Sequence, residues 1–232
     1  MANPLYDALF GKYAGQETPF LYLDDGTVIS HAGFLKMAAR VAGVITGAGL
    51  APGDRLAAQV EKSAEALALY AACVQAGVIF LPLNTAYTAD ELTYFIDNSG
   101  AAMIVCDPGK LETLGPIAER LGCRVETLAG DGAGSLMEKA GDMPGEFQTV
   151  DREGDDLAAF LYTSGTTGRS KGAMLTQDNL LSNAKTLTEC WRFSEGDVLL
   201  HALPIFHTHG LFVATNIVLL SGGAMIFLPK LD

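Results

Sequence analysis

Short runs of apolar and β-branched residues alternate along this chain with stretches whose apolar residues recur every three or four positions. A strand followed by a crossover helix must return parallel to its start, so this rhythm confines the chain to an α/β fold with a largely parallel sheet. Phe20 to Leu23 and Thr27 to Ser30, joined by Asp24-Asp-Gly26, read as a hairpin. His31 to Ala48 is predicted helical, with Phe34, Met37, Ala38, Val41, Val44 and Ile45 on one face. Arg55 to Val60 reads as a strand, and Ser63 can cap a helix running to Ala76. Val78 to Leu83 follows as strand, and Thr88-Ala-Asp-Glu91 is a capping box opening the next helix.

Ala101 to Cys106, a helix around Leu111 to Leu121, and Arg124 to Leu128 continue the pattern. Between Gly130 and Asp156 glycines and acids replace large apolar residues, which places a subdomain boundary there, with one short helix near Ser135 to Lys139. The expected organisation is a first α/β subdomain over 1–150 and the start of a second over 151–232. The second holds strands at Leu157 to Tyr162, Ala173 to Leu175, Val198 to Ala202 and Ala224 to Leu228, and an apolar helix near Leu211 to Leu220.

Composition excludes several function classes. With 49% hydrophobic and 18% charged residues over 232 positions, the chain has the core formers that disordered proteins lack. A formal charge of −12 argues against non-specific nucleic-acid binding, which needs a basic surface. No window approaches the ~18 apolar residues of a membrane-spanning helix. The start, Met1-Ala-Asn-Pro-Leu-Tyr-Asp7, lacks a basic, apolar leader, and the four cysteines form no Cys-x-x-Cys pair. Buried free thiols and a cytoplasmic location are the expectation.

The chemistry concentrates in Thr163 to Gly172. An apolar strand runs into Thr163-Ser-Gly-Thr-Thr-Gly-Arg-Ser170, then Lys171 and Gly172. Glycines let successive backbone N–H groups converge on one anion. The hydroxyls of Thr163, Ser164, Thr166 and Thr167 add donors, and Arg169 and Lys171 add positive charge in a stretch free of acids from Leu157 to Gln177. A polyphosphate is the ligand such a loop suits. The spacing Gly165-x-x-Gly168-x-x-Lys171 is not a Walker A loop, which needs glycine before the lysine and a helix after it.

These residues resemble the phosphate-loop signature of the adenylate-forming superfamily, which includes acyl-CoA synthetases, luciferases and peptide-synthetase adenylation domains. Members usually carry proline where Ser170 stands. Gly53-Asp-Arg55, Ala76-Gly-Val78 leading to Pro82-Leu-Asn84, and Leu203-Pro-Ile-Phe-His207 agree in order and spacing. The resemblance implies the N-terminal large domain of that fold, truncated, with sheets flanked by helices in two subdomains. It implies ATP as substrate, Mg²⁺ bridging phosphates, and coenzyme A as the acceptor thiol. On the same ground Thr163, Ser164, Gly165, Thr166, Thr167, Gly168 and Lys171 would hold the nucleotide phosphates. Thr163 would lie near the metal, and Lys171 and His207 would serve catalysis. The family's acidic metal ligand, ribose-binding Asp, hinge and C-terminal lysine would follow residue 232, so 1–232 alone is expected to be inactive.

His207 and His209 leave three readings open: a His-x-His metal pair, ordinary histidines satisfying local backbone, or the adenylate-site histidine of the resembling family. His201 to Ala214, with Gly168-Arg-Ser-Lys171, resembles malonyl-CoA synthetases, implying malonate or methylmalonate as the carboxylate. Medium-chain or aryl acyl-CoA synthesis, or a non-catalytic nucleotide-binding fragment, are the alternatives. Arg40, Arg55, Lys62 and Arg120 read as solvated surface charge, and Trp191 and Phe193 as core closure. The terminal strand after Ser221 is expected to be an uncovered apolar edge.

Overall fold

The alternation of strands and helices resolves into two sheets that share one continuous core. The computed structural model describes residues 2–163 and 170–230. The chain opens with α1 (Pro4–Leu9) and a short 3₁₀ turn at Gly11–Tyr13, then β1 (Pro19–Leu23) and β2 (Val28–Ser30) pair as the antiparallel hairpin. α2 (His31–Gly47), β3 (Arg55–Gln59), α3 (Ala64–Ala76) and β4 (Ile79–Pro82) follow. Next come α4 (Ala89–Ser99), β5 (Met103–Cys106), α5 (Leu111–Arg120), β6 (Arg124–Thr127) and α6 (Ser135–Gly141). β7 (Leu157–Thr163), β8 (Lys171–Thr176), α7 (Gln177–Trp191), β9 (Val198–His201), α8 (Asn216–Ser221) and β10 (Ala224–Phe227) complete the described chain.

The helix starts follow from capping chemistry. The Ser63 hydroxyl accepts from the Ala66 N–H at 3.1 Å, and Thr88 with Glu91 forms a reciprocal capping box at the head of α4. Thr176 and Asn179 make the same exchange before α7. Each cap satisfies N–H groups that have no partner inside the helix.

The larger sheet runs β6-β5-β3-β4-β7-β8 and the smaller β2-β1-β10-β9. All pairings are parallel except the β1–β2 and β7–β8 hairpins. Both sheets therefore draw strands from either side of residue 150, since β7 joins β4 and β10 returns to β1. The terminal strand is not an edge: β10 lies between β1 and β9, with Ala224, Met225 and Phe227 buried. Pairing at a separation of about 200 residues leaves no local trace, which is why the strand read as uncovered.

Strand periodicity sorts the core. In β3 and β5, Leu56, Ala58, Met103 and Val105 face the main core, while Ala57, Ile104 and Cys106 face α4 and α5. α3 is buried around its whole circumference, and Tyr70 at its centre packs against Phe10, Phe80 and Phe212. That burial explains its alanine-rich, non-amphipathic sequence. Two side chains depart from expectation. Trp191 is 59% exposed rather than closing the core, although Phe193 does pack against it. Cys190 is exposed, while Cys73, Cys106 and Cys123 are buried free thiols.

Candidate active site

The phosphate-loop signature sits at the open end of a hairpin. β7 and β8 are antiparallel and adjacent, and Thr163 stands directly opposite Lys171. Both side chains are exposed, and the Thr163 hydroxyl donates to the Lys171 carbonyl at 3.4 Å, a long bond that leaves its lone pairs available. β8 begins at Lys171, two residues before the Ala173 expected, because the ladder continues to the loop's mouth. Ser164, Gly165, Thr166, Thr167 and Gly168, together with Arg169, lie outside the described residues. Gly172 is fixed by space: a Cβ there would lie 1.9 Å from the Phe160 ring.

Both ends of the loop are anchored on α4. The Tyr162 hydroxyl donates to Asn98 Oδ1 at 2.7 Å, and the Tyr94 hydroxyl donates to the Ser170 carbonyl at 3.0 Å. Tyr94 and Asn98 are four residues apart, so they share one helix face. The Tyr162 ring packs on Phe95 at 4.3 Å between centroids, and burial pushes its hydroxyl pKa up to about 12. It therefore stays a proton donor at neutral pH. Sequence reading assigned no role to Tyr94 or Asn98, because their partners lie more than 60 residues away.

His207 occupies a different segment, the loop between β9 and the apolar stretch. It is exposed, with its ring edge-on to Phe206 at 4.5 Å. The expected helix from Leu211 to Leu220 is two pieces, a π turn over His209–Thr215 and then α8. A wide π turn inside an apolar helix recurs at functional sites. Gly210 lies so close to the loop that a Cβ would sit 2.1 Å from the Pro204 carbonyl oxygen. Among the described residues no group of three or more His, Cys, Asp or Glu is placed to hold a metal ion.

The residue that sequence reading most misjudged is Lys62. It is buried, not solvated, with 8% of its surface exposed. Its Nζ donates to the His201 carbonyl at 2.7 Å and lies 2.8 Å from His201 Nδ1, over the Phe227 ring at 4.3 Å. His201, also buried, places Nε2 2.8 Å from the Gly210 carbonyl. Arg55 is likewise half-buried, donating to the Ser99 carbonyl at 2.8 Å.

The AMP-binding enzyme family matches residues 12–232, nearly the whole chain. The chain belongs to the AMP-binding enzyme family. MatB from Rhodopseudomonas palustris superposes with a TM-score of 0.97 at 53% identity, over 100% of this chain and 46% of that one. Its ATP-bound structure gives 0.96 and 54%. A feruloyl-CoA synthase from Amycolatopsis sp is 34% identical over 89% of this chain and 40% of its own length. The mitochondrial malonate–CoA ligase ACSF3 of Mus musculus is 35% identical over 66% of this chain and 26% of its own. The chain thus spans less than half the length of each. The architecture is that of the N-terminal domain of these adenylate-forming enzymes.

In this member of the family the burial of His201 beside Lys62 makes stability depend on acid. Burial first, and then the Lys62 charge, lowers the His201 pKa from 6.5 to about 4. Burial also lowers Lys62, to about 7, so it titrates above that window. Between pH 6.5 and 4 the unfolded histidine binds a proton that the folded one refuses. Stability should therefore fall with acidification through this window, by on the order of 3 kcal/mol from this group. Urea midpoints at pH 6.5 and 4.5 test it. The slope should be shallower in a His201→Asn variant, and equal slopes would contradict the assignment.

Proposed function

We propose that this domain is the N-terminal part of an AMP-forming acid–thiol ligase that activates malonate or methylmalonate with ATP and passes the acyl group to coenzyme A. The observation that carries the proposal is the likeness to MatB at 53% identity across the whole chain, including a structure with ATP bound. Malonate–CoA ligases from mouse and Arabidopsis thaliana among the relatives support the choice of carboxylate.

In the first step a carboxylate oxygen attacks the α-phosphorus of ATP, the bond to the bridging oxygen breaks, and pyrophosphate leaves with its electron pair. In the second, the sulfur of coenzyme A attacks the acyl carbon and AMP departs. The loop between Thr163 and Lys171 would cradle the β- and γ-phosphates on the backbone N–H groups of Ser164, Gly165, Thr166, Thr167 and Gly168. Lys171 would neutralise charge that grows on the departing pyrophosphate. The Thr163 hydroxyl, with free lone pairs at the hairpin mouth, is an oxygen donor of the kind Mg²⁺ prefers. When bound, Mg²⁺ supplies charge neutralisation across the phosphate oxygens. Tyr94 and Asn98 would tether the two ends of this loop through their bonds to Ser170 and Tyr162. His207 would contact the adenylate or acyl oxygens. We propose that acids for the metal and a partner for the second carboxylate come from chain beyond residue 232.

Aromatic acids are the rival substrates, favoured by the feruloyl-CoA synthase match over 89% of the chain. The deciding assay supplies full-length protein with ATP, Mg²⁺, coenzyme A and one acid at a time. Malonate or methylmalonate should give AMP and pyrophosphate with a higher kcat/KM than ferulate, acetate or octanoate. Release of ADP would sink the adenylate mechanism, and a preference for ferulate would sink the dicarboxylate assignment.

A further inference from the structure

Among the described residues Lys62 is the only lysine or arginine that is buried, and both of its hydrogen bonds go to His201. The geometry fixes how protons are shared. His201 Nε2 lies 2.8 Å from the Gly210 carbonyl oxygen, which can only accept, so Nε2 carries the proton. Nδ1 is then a bare lone pair, and Lys62 Nζ at 2.8 Å must donate to it. A second Lys62 N–H goes to the His201 carbonyl at 2.7 Å. The Gly210 carbonyl also accepts from the Thr215 hydroxyl at 2.9 Å, and that hydroxyl lies 3.2 Å from His201 Nε2.

The consequence for the chain path is specific. His201 is the last residue of β9, and Gly210 lies in the first turn of the π segment. The His201–Gly210 bond therefore closes the loop 202–209, which carries His207. Lys62 approaches from the far sheet, just beyond β3, and holds the ring that makes this closure.

We propose that Lys62 is a positioning residue for adenylate formation: it fixes the His201 ring that closes the 202–209 loop and so sets where His207 stands. The proposal rests on the reading of His207 as an adenylate-site residue. A misplacement of about 1 Å at a reacting group can cost ~10²-fold. A cation that only tied the two sheets together would affect melting and leave turnover of the folded enzyme unchanged.

The test uses full-length protein. Lys62→Met should lower kcat for malonate-dependent pyrophosphate release by about 10–100-fold, with the KM for ATP changed less than about threefold. His201→Phe should lose a similar amount, and the double variant no more than the worse single one, because Lys62 acts through His201. Additive losses, or a Lys62→Met enzyme that melts early but turns over normally, would overturn the proposal. Where Lys62→Met does not fold, ¹⁵N-histidine spectra of the wild-type protein decide independently of activity. They should show His201 protonated on Nε2 and bare on Nδ1 at pH 7. An Nδ1–H tautomer or an imidazolium there overturns the clamp. Wild-type protein that forms no acyl adenylate from any acid would instead refute the functional reading, and the tautomer would still judge the clamp.

Discussion

Replacing Lys171 with alanine should reduce adenylate formation by about 10²–10³-fold, the loss typical when a preorganised charge is removed from a developing anion. Three observations set the direction. Lys171 is the first residue of β8 and pairs with Thr163 across the hairpin mouth, so its backbone is held by the ladder. Its side chain is exposed and makes no part of the core. The stretch from Leu157 to Gln177 contains no acid, so no sequence neighbour competes for its charge. An exposed side chain contributes little to folding, and stability should change by less than about 0.5 kcal/mol. That separation makes the experiment clean: turnover falls while the urea midpoint stays in place. Pyrophosphate release within threefold of wild type would remove Lys171 from the mechanism. A collapse of stability together with activity would show the lysine to be structural instead.

The loop chemistry was legible because it is local. A strand, a run of glycines and hydroxyls, and a lysine lie within a dozen residues, and the resemblance they carry points to the family that matches the chain. The capping residues Ser63, Thr88 and Thr176 marked three helix starts for the same reason, since a cap and the N–H it satisfies are three residues apart. What stayed hidden is non-local. β10 seats itself beside β1 at Leu21 and Met225, and no periodicity announces a partner two hundred positions away. Lys62 is the sharper case. Between Glu61 and Ser63 a lysine reads as solvated, and only the approach of β9, 139 residues on, buries it against His201. Burial of a cation is tolerable only with donors satisfied, and that condition is met by residues the local sequence does not contain. The π turn was hidden differently. Leu211 to Leu220 has the composition of an ordinary buried helix, and the widening at its start coincides with the close approach of Gly210 to Pro204, a non-local contact.

That contact yields the second large effect. Gly210→Ala should destabilise the domain by about 2–3 kcal/mol, the upper range for forcing volume into a packed site. The inserted Cβ would lie 2.1 Å from the Pro204 carbonyl oxygen and 2.8 Å from its carbon. Both are backbone atoms, so no rotamer change relieves the clash. Gly210 does not have a positive φ, and alanine's backbone preference is therefore not at fault. Only space opposes it. Relief requires either the 202–209 loop to lift or the π turn to withdraw, and withdrawal breaks the His201–Gly210 bond at 2.8 Å. Either movement displaces His207, so kcat should fall along with the urea midpoint. The matched control is Gly47→Ala at the exposed end of α2, where nothing lies within 4 Å of the added carbon. There the better helix former should leave stability unchanged or raise it by up to about 1 kcal/mol. The same methyl group thus gives opposite signs at two glycines in one chain. A Gly210→Ala protein with an unshifted midpoint would mean that Pro204 moves aside at no cost, and the turn would then be too soft to hold His207 in place.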